Sequence, residues 1–252
     1  MGLLRNWWKR VTLDRVRVSD DEWNAAEAHL PFLGHLDAAE RRRLRAMAHE
    51  FLAEKEWSAG PGLTLTPDIQ LSISLQACLP VLNLGLERYR GWVGIIIYPG
   101  DFVIPRNFID DAGVVHEYDD AVLGEAWEGG PVLVSWFDDP KDADGVNVVL
   151  HEFAHKLDME NGTADGLPRL PADMSRHDWL AAFEPAYENF CTRVDSDEDT
   201  RLDPYAAEHL AEFFAVMSEA FFETPDVLHD EYPAVYEQLR RFYRQDPLQR
   251  AG

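Results

Sequence analysis

The stretch from Asp144 to Asp158 constrains the fold more tightly than any other part of the chain. It reads Asp-Gly-Val-Asn-Val-Val-Leu-His-Glu-Phe-Ala-His-Lys-Leu-Asp. On a helix, Val146, Val148, Val149, Leu150, Phe153, Ala154 and Leu157 surround His151, Glu152 and His155 on nearly all sides. A helix that is apolar all round is a buried one. Its polar side chains then need partners inside the protein, because an unpaired buried polar group is costly. His151 and His155 are four residues apart and share a face, so both imidazoles can bind one Zn²⁺. Glu152 is rotated by about 100° from His151, so it can face a water on that ion without ligating it. A pair of core histidines bonded to backbone is the competing reading; a metal supplies the missing partner at once.

A catalytic zinc site usually has three protein ligands. Position 158 is Asp and position 161 is Asn, so a His-Glu-x-x-His-x-x-Gly-x-x-His pattern is absent. The third ligand therefore comes from elsewhere. The spacing predicts a helix opening at Asp203-Pro204, a cap and a first-turn proline, and running to Glu223. Leu210, Phe213, Phe214, Met217 and Phe221 form its apolar stripe. Tyr205, Glu208, Glu212, Glu219 and Glu223 cluster near the opposite side. Such a cluster also describes a solvated acidic face. Periodicity does not choose among these carboxylates, and His209 or His177 stays open.

Elsewhere the period changes twice. Residues 20–57 read as helix, capped by Ser19 or Asp20 and broken at Pro31 and Gly34. Thr66-Pro67-Asp68 opens a largely apolar helix from about 68 to 89, with Pro80 as a kink. Gly94–Tyr98, Phe102–Ile104, Val114–Tyr118 and Val132–Trp136 are β-rich runs separated by Gly, Pro and Asp-Asp. The pattern is helical again from 142, with loops near 159–177 and 195–203. Helices, then strands, then helices give an α+β order. No linker stands out, so one domain over 1–252 is expected, with a helical N-terminal subregion over 1–60.

Composition excludes several classes. The longest apolar run, Trp92–Tyr98, is far too short for a membrane span. The net charge is −23, which repels phosphate backbones and argues against nucleic acid. Residues 1–19 are the exception, with five basic side chains against Asp14 alone. Cys78 and Cys191 make no disulfide framework and read as buried thiols of a reducing compartment. The first eight residues have neither an unbroken apolar segment nor a small-residue cleavage site, and Asn6 breaks the myristoylation pattern. A cytoplasmic location is expected.

His-Glu-Phe-Ala-His-Lys-Leu-Asp at 151–158, Tyr205 and Glu-Phe-Phe-Ala at 212–215 together resemble the Mlc titration factor A family of zinc metallopeptidases. That family is in turn similar to the catalytic core of anthrax lethal factor, a gluzincin. The resemblance extends to Ile-Tyr-Pro-Gly-Asp-Phe-Val at 97–103 and Gly-Glu-Ala-Trp at 124–127. It implies a mainly helical, zincin-like α+β domain with a small mixed or antiparallel sheet beside the zinc helix. It implies one Zn²⁺ per chain on His151, His155 and Glu212, with Glu152 as general base and Tyr205 assisting the transition state. On one helix, Tyr205 and Glu212 would share a face about 10 Å apart. Gly124, Glu125, Ala126 and Trp127 are placed like the edge strand that holds peptide substrates, an arrangement that uses backbone bonds with little side-chain selectivity.

The function so implied is zinc-dependent, aminopeptidase-like hydrolysis of short peptides. A regulatory alternative is a cytoplasmic binding protein that sequesters the repressor Mlc, with catalysis secondary. A zinc hydrolase acting on a non-peptide amide is a third reading.

Overall fold

The Ser19 hydroxyl accepts the Glu22 N–H at 3.3 Å, and the Glu22 carboxylate accepts the Ser19 N–H at 2.7 Å. This reciprocal cap opens α1, Asp20–Ala28. The computed structural model describes residues 17–109, 115–137 and 146–249, with backbone alone for 103–109 and 115–122. The basic N-terminal segment therefore lies outside the described residues up to position 16, as do Val114 of the third β-rich run and Asp144-Gly145.

Pro31 and Gly34 divide the first helical region as the sequence predicts, with a 3₁₀ turn at Pro31–His35. Asp37 then caps α2, Ala38–Glu54, through a second reciprocal pair with Glu40. The helix stops short of the expected residue 57, because Glu56–Ala59 forms strand β1. Thr66 caps α3, Pro67–Cys78, with Pro67 in its first turn. That helix does not continue to 89: it ends before Pro80, and the chain passes through turns into a 3₁₀ segment at Leu86–Tyr89.

Among the described residues, β1 is followed by five strands where the sequence changes period: β2 Gly94–Pro99, β3 Phe102–Ile109, β4 Val115–Val122, β5 Gly124–Ala126 and β6 Val132–Trp136. β1, β2 and β6 run parallel, and β5 closes the mixed sheet antiparallel to β6, in the order β1-β2-β6-β5. β3 and β4 form a separate antiparallel hairpin that leads directly into β5.

The remaining elements are helical: α4 Val148–Asp158, α5 Arg176–Asp195, α6 Leu210–Glu223, α7 Pro225–Glu231 and α8 Pro233–Tyr243. The architecture is α+β and mainly helical. α4 packs between the β5–β6 edge of the sheet and α6. Aromatic rings hold it there. Phe153 meets Phe51, Tyr89 and Trp92 at centroid distances of 5.2–5.8 Å. Behind α6, Trp179 stacks on Phe183 at 4.2 Å and meets Phe214 and Phe242. Such aromatic packing contributes beyond its buried area. Cys78 is buried as expected, whereas Cys191 is half-buried; both thiols are free. Among the described residues, no helix is long and apolar enough to cross a membrane.

Candidate metal centre

Asn147 starts the site. Its side-chain oxygen accepts the Leu150 N–H at 2.9 Å and caps α4. Every residue of α4 is buried, including His151, Glu152, His155, Lys156 and Asp158. The helix the sequence describes as apolar all round thus carries five ionisable side chains into the interior.

His151 and His155 lie one turn apart and aim Nε2 at the same point, 3.1 Å from each other. Glu212, on the first turn of α6, brings Oε2 to 2.9 Å from His151 Nε2 and 3.1 Å from His155 Nε2. Ligand atoms of these three residues lie within 4.8 Å of one another. On the far side of the His151 ring, Nδ1 donates to Glu219 Oε1 at 2.6 Å. That bond places a proton on Nδ1 and leaves the Nε2 lone pair of the neutral ring facing a carboxylate. Acceptors converging in this way require a cation between them. A tetrahedral ion with His and carboxylate bonds of about 2.0–2.1 Å holds its ligand atoms about 3.3 Å apart, close to the spacing seen. The donor set therefore fits a divalent metal.

Without a metal, a proton takes that place. Burial opposes charge on His151, yet the Glu219 and Glu212 carboxylates hold its imidazolium well above the ordinary histidine range. Glu212 shows the complement: burial disfavours its charge, but hydrogen bonds from His151 and His155 keep its carboxyl well below the usual range. Glu152 differs from both. Burial pushes its carboxyl up to about 8, reinforced by the charges of Glu212, Glu219 and Glu125 and opposed by His151. Its Oε2 is buried with no hydrogen-bond partner among the described residues.

The edge strand lies directly on this carboxylate. A Cβ at Gly124 would collide with Glu152 Oε1, so only glycine lets β5 approach so closely. Glu125 is half-buried, Ala126 is buried, and Trp127 is 47% exposed.

Two expectations about the 203–223 segment are corrected. The helix does not open at Asp203-Pro204. Pro204–Ala207 is a 3₁₀ turn, and α6 begins only at Leu210, capped by the extended residue His209. Tyr205 and Glu212 therefore do not share a helix face. Tyr205 instead stands at the rim, 51% exposed, its ring 6.1 Å from that of His151. The competing reading, a solvated acidic face, fails for Glu212 and Glu219, since residues 211–222 are buried throughout, while Glu223 at the helix end is exposed. Glu208 and His209 are exposed and lie before the helix, and His177 is exposed at the start of α5.

Sequence reasoning named Glu219 only as one of several competing carboxylates, without its role behind His151, and passed over Lys156 and Asp158. A signal for each was present. Glu219 lies two turns after Glu212 on the same helix face, and Lys156 and Asp158 are charges inside an otherwise apolar helix. Asp158 is fully buried, accepts the Gly166 N–H at 2.7 Å, and leaves Oδ1 without a partner among the described residues. Burial raises its carboxyl to about 6.

A mainly helical α+β fold with two imidazoles and a carboxylate converging from facing helices defines a metallopeptidase-like class. Residues 4–244 match the family model described as glucose-regulated metallo-peptidase M90, and the chain belongs to that family. It is 41% identical over 248 residues to Mlc titration factor A of Klebsiella pneumoniae (strain 342), covering 96% of this chain and 93% of that one. It is 40% identical to Mlc titration factor A of Serratia proteamaculans (strain 568), covering 91% and 88%. For the protein of that name from Yersinia pestis (strain Pestoides F) the identity is 39%, covering 91% and 86%.

Proposed function

We propose that the protein is a zinc-dependent peptidase of aminopeptidase type, acting on short peptides in the cytoplasm as a single domain. One observation carries the reading: Glu152, a buried carboxylate with one oxygen that has no hydrogen-bond partner among the described residues, stands beside three donors converging on one point. A structural metal site has no use for such a group, whereas hydrolysis needs a base. Zinc is the ion that two imidazoles and one carboxylate suit, one per chain. Held by His151, His155 and Glu212, it would polarise the scissile carbonyl and lower the pKa of the attacking water.

The protein's own groups do the rest. Glu152 takes the proton from the attacking water and passes it to the leaving amine. The Tyr205 hydroxyl, from the rim, stabilises the oxyanion. Gly124, Glu125, Ala126 and Trp127 hold the peptide as an added strand along the free side of β5.

The test is metal analysis of the purified protein, followed by a screen of chromogenic aminoacyl and peptide substrates with and without a chelator. Chelator-sensitive hydrolysis with about one zinc per chain supports the proposal. A folded protein that neither contains nor takes up zinc defeats it.

The relatives' name, Mlc titration factor A, favours a second reading, sequestration of a transcriptional repressor. In that case the repressor would bind the metal-free and Glu152→Gln proteins as well as the parent.

A further inference from the structure

The turn that joins β5 to β6 is held by the helix that carries the two histidines. Lys156, the residue after His155, is 4% exposed. Its ammonium donates to the Trp127 carbonyl and, at 2.8 Å, to the Gly130 carbonyl. It also lies 4.8 Å from the centre of the Trp92 ring. A buried ammonium is unfavourable unless its protons are received, and here two carbonyls and an indole face receive them. The turn itself is tight. Gly130 N–H donates back to the Trp127 carbonyl at 3.0 Å, and Trp127 N–H donates to the Pro131 carbonyl at 3.2 Å. A Cβ on Gly130 would lie 2.9 Å from that of Trp127.

Both carbonyls belong to one four-residue turn, directly after the strand whose Gly124 touches Glu152. A methionine would fill the same space without a charge to desolvate, so packing alone does not explain an ammonium here. The bonds instead fix where the strand ends relative to the helix.

We propose that Lys156 is a positioning residue, a buried strap that sets the edge strand Gly124–Ala126 against the histidine helix and thereby governs binding of extended peptides. This rests on the reading of β5 as the docking edge for substrate. Strand addition is sensitive to such placement, because the backbone bonds of the peptide and the approach of its carbonyl are set together. A substrate too short to pair with β5 escapes that dependence.

The experiment compares Lys156→Met with the parent in the zinc-loaded protein. Metal content is expected to be unchanged, and amide hydrogen exchange to rise at Trp127, Gly130 and their neighbours. KM for a tetrapeptide anilide is expected to rise on the order of tenfold, more than kcat falls, as for loss of a charge-assisted hydrogen bond. KM for a single aminoacyl anilide is expected to change by less than about twofold. Where turnover is absent, the affinity for the same tetrapeptide replaces KM. Unchanged exchange defeats the strap alone and leaves the docking edge standing. Raised exchange with an unchanged tetrapeptide KM overturns both. An equal rise for the two substrates also overturns the proposal, since it marks general structural damage. Lys156→Gln keeps a neutral donor on a shorter stem and serves if the methionine variant does not fold. It is expected to show the same split at smaller amplitude, and parent values for both substrates would defeat the strap.

Discussion

Glu219 Oε1 lies 2.6 Å from His151 Nδ1, across the interface between α4 and α6. The same carboxylate accepts the Asn147 backbone N–H at 2.9 Å through its other oxygen, so it ties the start of the histidine helix to the ring it orients. Partners of this kind typically account for 10- to 100-fold in metal affinity. Glu219→Gln is expected to weaken zinc binding by about that factor, while Glu208→Ala leaves it unchanged because Glu208 is exposed. Competition against a chromophoric chelator measures both. Equal affinity in Glu219→Gln and the parent would remove Glu219 from the site.

Glu212→Ala takes away the anionic donor and leaves two imidazoles. Zinc affinity should fall well beyond the effect of Glu219→Gln. The rise in Tm that zinc produces in the parent should disappear, because ligand binding to the folded state is itself stabilisation. Thermal melts with and without zinc check this; a parent-like shift would return the third place to another group.

Glu152→Gln keeps the shape of the side chain and removes the base. Hydrolysis is expected to drop by about 10²- to 10⁴-fold with zinc content intact. Parent-like turnover would show that the proton goes elsewhere.

Asp158 provides a pH test. Its carboxyl is raised from 3.8 to about 6 by burial, so the folded chain holds a proton that the unfolded chain has released. Its contribution to stability is fully present below pH 3.8 and is lost as the pH rises through about 6. The full span corresponds to about 3 kcal/mol. Asp158→Asn should remove that decline. Denaturant titrations of parent and variant between pH 4 and 7, in chelator, should show their stability difference changing in this direction. A constant difference across the range would contradict it.

Gly166 has φ +78°, and a Cβ there would lie 2.5 Å from the Leu210 carbonyl oxygen, at the start of α6. Its N–H serves Asp158 and its carbonyl accepts the Trp179 indole N–H at 3.0 Å. Gly166→Ala should cost roughly 2–4 kcal/mol through strain and displacement of α6. Zinc affinity should fall with it, since Glu212 sits on that first turn. Chemical denaturation and zinc titration together test the pair of effects.

The local rules carried far in this chain. The two reciprocal caps at Ser19 and Asp37, the breaks at Pro31 and Gly34, the Thr66 cap and the buried histidine helix all follow from neighbours within four residues. Helix periodicity and capping act over that same range. The placement of His151 and His155 on one face needs only the helix. What faces that helix is a different matter. Glu208, Glu212, Glu219 and Glu223 are alike in type and spacing, and whether each meets water or an imidazole depends on how α6 lies across α4. The extended His209 ends a helical reading that the Asp203-Pro204 pair suggests, and this leaves Tyr205 at the rim. The partners of Lys156 come from a turn 26 to 29 residues earlier, a contact made only once β5 and β6 pair beside α4. Sequence by itself determined the α+β order of the elements and the burial of the histidine helix with its two imidazoles on one face. The tertiary structure decided which buried charges meet, because the energy of a buried charge is set by the groups that replace its water.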